Sequence, residues 1–300
     1  MRLVEPDRVS RNKRLYGGSH GLKLGVCLDG RNYLLKFPPR LKCANSYCEG
    51  TPGCSNSPFS EFLGSRIYAL LKIPVQEVSL ACYQGRTVAL CRDFVRTGQR
   101  FYTFEQYCLT TAEVDNELAY RVIAGRPHDL QLIKYNLKRL DKEEPKLRAT
   151  ERFWNMFVVD ALIGNRERSS DNWGILEQHD RLSLAPVFDN GSCLFCSLSE
   201  QEIAKSDRAQ FKEMAYDLES VLSIGDQRIN PLQYLSKGED PDAAAAFCRL
   251  YPVMDECCDK MDRLVRHTPQ LPAAVTSFLA DILTYRIEQI FRPCYLKLQG

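Results

Sequence analysis

Near residues 95–105 this chain turns from a mainly strand-like to a mainly helical pattern, and that change limits the folds open to it. Ahead of it apolar residues alternate as in strands; behind it they recur three and four apart, as on helices. Residues 22–37 show the first pattern best. Leu22, Leu24, Val26 and Leu28 alternate with Lys23, Gly25, Cys27 and Asp29, and Tyr33, Leu35 and Phe37 alternate with Asn32, Leu34 and Lys36. Asp29-Gly30 stands between the runs and is a two-residue hairpin turn. The spacing predicts a β-hairpin with Lys36 on the sheet face opposite Tyr33, Leu35 and Phe37. Two more strands are expected near 75–82 and 87–94, joined at Gln84-Gly85. One helix interrupts this front part. Ser57 is its expected cap and Pro58 its first residue, with Phe59, Phe62, Leu63, Ile67, Leu70 and Leu71 at helical spacing. Glu61 is expected in its first turn.

Behind the change, a helix follows Thr150 with Phe153, Trp154, Phe157, Val158, Ala161 and Leu162 on one side, and Gly164 ends it. A polar loop, 165–172, leads to two short apolar runs and then to Asp189-Asn190-Gly191. A last helix is marked by Val275, Phe278, Leu279, Ile282, Leu283, Ile287, Ile290 and Phe291. The expectation is an α+β fold of two parts, a β-rich lobe over 1–98 and a helical lobe over 99–300. The 300 residues, 44% of them hydrophobic, suffice for sizeable cores. A formal charge of +2 argues against a protein that coats nucleic acid. The absence of a long apolar run argues against a membrane span. The start of the chain does not resemble an export signal, so the 13 cysteines are expected to be reduced and the protein cytoplasmic. Cys27, Cys82, Cys91, Cys108 and Cys294 sit among apolar neighbours and read as core residues. Cys43, Cys48 and Cys54 lack a nearby fourth zinc ligand, and their loop reads as an irregular insert.

Several polar residues fall in an order that suits phosphoryl transfer. Gly17-Gly18-Ser19-His20-Gly21 precedes the first strand of the hairpin. Glycines such as Gly18 and Gly21 let backbone N–H groups approach phosphate oxygens. Lys36 offers a point charge for phosphates, and Glu61 can orient it as an ion pair. Glu167 is an acid, Asn172 an amide five residues later, and Asp189 a carboxylate after a short hairpin. Asn172 and Asp189 offer the oxygen ligands that Mg²⁺ prefers, and Glu167 can act as base toward a hydroxyl. Each residue also has a plainer reading. Lys36 alone is a solvent-facing strand lysine, and Glu167 a loop charge paired with Arg166 or Arg168. Asn172 and Asp189 alone are turn residues. Trp173 reads as core, and Asp160 and Asn165 either brace the loop or cap helix ends.

The segments 159–174 and 185–192 carry a specific resemblance. Gly164-Asn165-Arg166-Glu167-Arg168-Ser169-Ser170-Asp171-Asn172-Trp173-Gly174 and Pro186-Val187-Phe188-Asp189-Asn190-Gly191-Ser192 resemble the loops of HipA-like serine/threonine kinases, above all the compact CtkA-type members. Their first loop typically reads G-N-x-D-R-H-x-x-N-W-G. The resemblance implies a two-lobed protein-kinase-like fold that binds ATP and Mg²⁺ between the lobes. It implies Glu167 at the catalytic position, Asn172 and Asp189 at the metal positions and Lys36 at the phosphate-binding position. It makes Ala89–Phe94, with Arg92 and Phe94, the hinge that meets adenine through its backbone. It also implies a protein substrate bearing serine or threonine, autophosphorylation at Ser19, and a partner of the DNA-binding antitoxin kind. The chain departs from the pattern twice, with Glu167 for the usual Asp and Ser169 for the following His. A methylene moves the carboxylate by about 1 Å, a displacement that can cost roughly 100-fold in rate. The departure also opens a second reading, a nucleotide-binding pseudokinase that acts as a regulatory module. Asp171 is a substitute acid in the same loop.

Overall fold

A computed structural model describes residues 2–3, 9–12, 14, 16, 22–39, 55–110 and 128–299. Its front part is a six-stranded sheet in the order β1-β5-β6-β4-β3-β2. The strands are β1 (Arg2–Leu3), β2 (Ser10–Arg11), β3 (Lys23–Leu28), β4 (Arg31–Lys36), β5 (Val78–Tyr83) and β6 (Arg86–Arg92). Only the β1–β5 pairing is parallel. The hairpin forms in the expected register, Lys23 opposite Lys36 and Leu28 opposite Arg31. Asp29 and Gly30 take φ of 50° and 72°, and Gln84 and Gly85 take 50° and 73°. Both turns therefore carry the two positive-φ residues that a tight right-twisted hairpin requires.

The two faces of the sheet bury different residues. Val26, Leu28, Tyr33, Leu35, Phe37, Ala81, Tyr83, Val88 and Leu90 pack on one side. Leu34, Val78, Ala89 and Cys91 pack on the other, against Phe62 of helix α1 (Ser57–Leu70). Lys36 belongs to this second face. The helix starts a little differently from expectation. Asn56, not Ser57, is its N-cap, with no side-chain cap bond, and Ser57 N–H goes to Ser55 Oγ at 3.3 Å. Glu61 therefore lies one residue further in than expected, just past the first turn and among buried residues.

The rest of the chain is mostly helical, with a three-stranded sheet set into it. Strand β7 (Arg100–Thr103) pairs with β8 (Gly174–Gln178), and β8 with β9 (Arg181–Leu184). Helices α2 (Phe104–Thr110) and α3 (Leu130–Glu143) precede α4 (Ala149–Ile163), nearly all of it buried. Arg148, in the left-handed conformation, is the N-cap of α4. The carboxylate of Asp141 accepts the Ala149 and Thr150 N–H groups at 2.6 and 3.0 Å. Gly164 ends the helix as expected, at φ 67°. Trp173 stacks on Phe104 with ring centroids 4.0 Å apart, so its core reading holds.

Helices α5 (Glu200–Lys205), α6 (Arg208–Tyr216), α7 (Pro231–Lys237), α8 (Pro241–Arg266), α9 (Ala273–Tyr285) and α10 (Arg292–Gln299) complete the chain. Between α9 and α10 the ladder widens to a π-helical stretch, Arg286–Phe291, inside what the apolar spacing reads as one helix. That widening seats Arg286, which is fully buried, against two helix ends. It donates to Leu162 O of α4 at 2.9 Å and to Ala215 O of α6 at 3.0 Å. Helix C-termini carry partial negative charge, which offsets the buried cation. Burial, with Arg166 adding repulsion, lowers its pKa to about 9, so it is still charged at neutral pH.

Candidate functional site

The site lies where the sheet, α1 and the loops around α4 and β9 meet. Lys36 comes from the end of β4, and α1 sets Glu61 against it. Lys36 Nζ donates to Glu61 Oε2 at 2.7 Å and to Asp189 Oδ1 at 2.7 Å. The plainer reading of Lys36 therefore fails: its side chain is only 13% exposed and bridges two carboxylates. Burial works against its charge, but Glu61 and then Asp189 outweigh that and hold the pKa above the usual lysine range. The same pairing acts on Asp189. Burial pushes its carboxyl up, the Lys36 ammonium pulls it down further, and the pKa settles at about 2. Glu61 is closed in on both oxygens, since Oε1 accepts from the Asn190 backbone N–H at 3.1 Å.

Asp189 itself takes φ 58°, a left-handed conformation that Asp tolerates better than most residues. Phe188, just before it, packs on Phe94 and Phe101 with centroids 5.5 and 5.6 Å away. The segment after β6 thus touches the segment that carries Asp189. Little of the 89–94 backbone is open, because Ala89, Leu90 and Cys91 are laddered to β4 and β5 on both sides. Arg92 N–H goes to Glu77 O, Asp93 N–H to Asn32 O, and Asp93 Oδ1 takes the Val95 N–H. The Arg92 guanidinium turns outward to Glu77 at 2.8 Å and does not join Lys36 and Asp189. Gly18, Ser19 and Gly21 lie outside the described residues, as do Cys43, Cys48 and Cys54.

The polar loop after α4 is built around Arg168, which its neighbours alone mark as a surface partner of Glu167 and the resemblance marks as the arginine of the family's loop pattern. Its side chain is 2% exposed. It donates to Asp160 Oδ2 at 2.8 Å and Oδ1 at 3.2 Å, Asn190 Oδ1 at 2.6 Å, Asn172 O at 2.9 Å and Phe188 O at 2.5 Å. Asp160 also accepts from Tyr68 at 2.8 Å and from Asn165 at 3.0 Å. Asp160 and Asn165 therefore brace the loop; neither is spent as a mere helix cap. Burial opposes the Arg168 charge, Asp160 outweighs it, and the guanidinium pKa rises.

Glu167 does not pair with either neighbouring arginine. Its carboxylate accepts the Ser192 hydroxyl at 2.5 Å. Its backbone N–H goes to Asn165 Oδ1 at 3.3 Å, and its carbonyl accepts Asn172 Nδ2 at 2.7 Å. Asp171 turns aside, accepting from Thr103 Oγ1 at 3.2 Å. The Asn172 amide thus spends its N–H₂ on the loop, which leaves its oxygen as the free end. Among the described residues no three His, Cys, Asp or Glu side chains cluster as metal ligands. Asn172 and Asp189 offer an amide and a carboxylate oxygen, the donor type that suits Mg²⁺.

A family model described as the HipA-like C-terminal domain matches residues 18–244. The serine/threonine-protein kinase CtkA of Helicobacter pylori strain J99 is 28% identical over 284 residues, which span 93% of this chain and 83% of that protein. The crystal structure of a Helicobacter pylori proinflammatory kinase CtkA superposes with a TM-score of 0.84 at 27% identity, covering 99% of each chain. HipA of Shewanella oneidensis MR-1, solved with HipB and operator DNA, gives a TM-score of 0.52 at 14% identity, over 95% of this chain and 68% of that one. That last likeness is one of fold.

Proposed function

The chain belongs to the HipA-like C-terminal domain family, and from that premise we propose that it is an ATP- and Mg²⁺-dependent serine/threonine protein kinase. The observation that carries this reading is Lys36 held between Glu61 and Asp189, 2.7 Å from each. A buried lysine poised this way is ready to pass from a carboxylate to the phosphates of a nucleotide. The relative named a serine/threonine kinase supports the same reaction class.

In the proposed reaction the acceptor hydroxyl oxygen of a protein serine or threonine bonds to the γ-phosphorus of ATP. The bond from that phosphorus to its bridging oxygen breaks, and ADP leaves with the electron pair. The hydroxyl proton passes to the Glu167 carboxylate and from there to water. Lys36 holds the phosphates, and Glu61 keeps Lys36 oriented. Asn172 and Asp189 would hold Mg²⁺, whose charge neutralises the phosphate oxygens when bound. Phe94, at the end of the closed 89–94 stretch, would meet the adenine. Arg168 fixes the carbonyls of Asn172 and Phe188, and so sets the spacing between the two proposed metal ligands. Autophosphorylation at Ser19 and a partner of the antitoxin kind belong to this proposal; for the Shewanella protein the solved complex contains HipB and DNA.

The test is incubation with labelled ATP and Mg²⁺, alone and with protein acceptors. Label transferred by the wild type and lost in Asp189→Ala is the expected result. Glu167 in place of the family's Asp motivates the second reading, a pseudokinase. In that case saturating nucleotide still stabilises the chain, by about 2.7 kcal/mol at 100 times Kd, with no label transferred. A melting curve indifferent to Mg²⁺-ATP refutes both readings.

A further inference from the structure

Ser192 has no role in the reaction as described, yet its hydroxyl is the side-chain contact that holds the Glu167 carboxylate, at 2.5 Å. The loop pins Glu167 through its backbone alone, by the Asn165 and Asn172 side chains. Backbone pinning leaves a glutamate side chain free to swing about three bonds. Ser192 stands on firm ground. Asn190, two residues earlier, is fully buried and bonded to Glu61, Ser65 and Arg168. Cys193 is fully buried and reaches Ser60 O at 3.4 Å, and Leu194 N–H is bonded to Ile163 O at 2.8 Å. The segment that supplies Asp189 thus also supplies a fixed donor to the acid of the other loop.

We infer that Ser192 is a positioning residue for the base of the proposed kinase reaction, an inference that rests on that reading. The hydroxyl keeps its proton and occupies Oε2, which leaves Oε1 for the proton of the acceptor. The extra methylene of Glu167 is then no defect of placement. It carries the carboxylate to a donor that a shorter aspartate on the same backbone reaches less well.

The experiment uses the full chain, labelled ATP with Mg²⁺, and casein as acceptor. It compares the wild type, Ser192→Ala, Ser192→Thr, Glu167→Asp and the Glu167→Asp/Ser192→Ala double variant. Losing a hydrogen bond to a charged group corresponds to roughly 10- to 100-fold in rate. Ser192→Ala is expected to lose that factor in kcat with KM for ATP unchanged, and Ser192→Thr to recover most of it. In the Glu167→Asp background the alanine is expected to cost little more. An unchanged melting rise with Mg²⁺-ATP shows that each variant still folds and binds. Wild-type kcat in Ser192→Ala overturns the inference, as does an equal loss in both backgrounds. Phosphate on Ser192 itself, found by mass spectrometry, also overturns it, because the residue is then an acceptor. A wild type that transfers no label overturns the kinase reading, and the inference falls with it.

Discussion

Replacing Arg168 with Met tests the account of the site at its most connected point. The guanidinium is 2% exposed and the Asp160 carboxylate it faces is 5% exposed. Removing one partner of a buried pair leaves the other charge uncompensated, which typically costs about 3–5 kcal/mol. Met fills the volume of the stem, so the loss is mainly electrostatic. Arg168→Met also strands Asn172 O, Phe188 O and Asn190 Oδ1, though water can reach the partly exposed ones. At about 2 °C per kcal/mol for a chain of this size, the melting temperature should fall by roughly 6–10 °C. Arg92→Met is the matched control. Its pair with Glu77 is 43% and 64% exposed, where a salt bridge is worth about 0–1 kcal/mol. Urea unfolding of both variants gives the comparison directly. Asp160→Asn in the Arg168→Met background should restore part of the loss, because it removes the orphaned charge. An Arg168→Met variant as stable as Arg92→Met would refute the view that this arginine holds the loop from inside.

Two further outcomes follow from the same structure. Gly164→Ala should destabilise by more than Gly85→Ala: both glycines have positive φ, but a Cβ at 164 meets buried Arg286 Nη1 at 2.7 Å and one at 85 meets nothing within 4 Å. Gly85→Ala should then show the conformational penalty alone, about 1 kcal/mol, and equal losses in urea melts would count against the Arg286 contact. Asp189 has a folded pKa of about 2, below the ordinary carboxylate value, so its contribution is complete above about pH 4 and is lost as pH falls toward 2. Asp189→Asn should flatten stability over that acid window, and an unchanged acid limb in urea midpoints would contradict the Lys36 pairing.

Local patterns were legible in the sequence; long-range partners were not. The hairpin, the end of α4 at Gly164 and the order Lys36, Glu61, Glu167, Asn172, Asp189 follow from period, turn chemistry and spacing, all of them short-range. The resemblance marks Arg168 as part of the loop pattern, but not its task, because an arginine between Glu167 and Ser169 looks like any loop charge. Only the fold shows that Asp160 and Asn190 surround it. Arg286 escaped for the opposite reason. Its apolar neighbours keep helical spacing through the π-helical stretch, so no signal marks the position where the ladder widens. The shift from Ser57 to Asn56 as cap is a smaller case: either residue suits the position, and the chain around Ser55 decides.

The Lys36–Glu61 pair also bears on how the proposed activity is controlled. In protein kinases the helix that carries the paired glutamate can swing, and its position sets activity. Helix α1 has little freedom of that kind. Leu63, Ile67 and Tyr68 are fully buried and share one core with Phe153, Phe157 and Ile163 of α4 and with the later helices. The Tyr68 hydroxyl donates to Asp160 and to Met156 O, at 2.8 and 3.0 Å. Pulling Leu63, Ile67 and Tyr68 out of that core would cost about 1.5–3 kcal/mol per side chain, before the bonds of Tyr68 and Glu61 are counted. The helix is therefore part of the body that holds Asp189 and Arg168. The sheet keeps its own cluster around Leu35 and Leu90, but Leu80 of β5 joins the core of α1, and Leu34, Val78, Ala89 and Cys91 pack with Phe62. Separating Lys36 from Glu61 would therefore expose that shared packing as well as break the buried ion pair, so the sheet and α1 hold the pair in place from both sides.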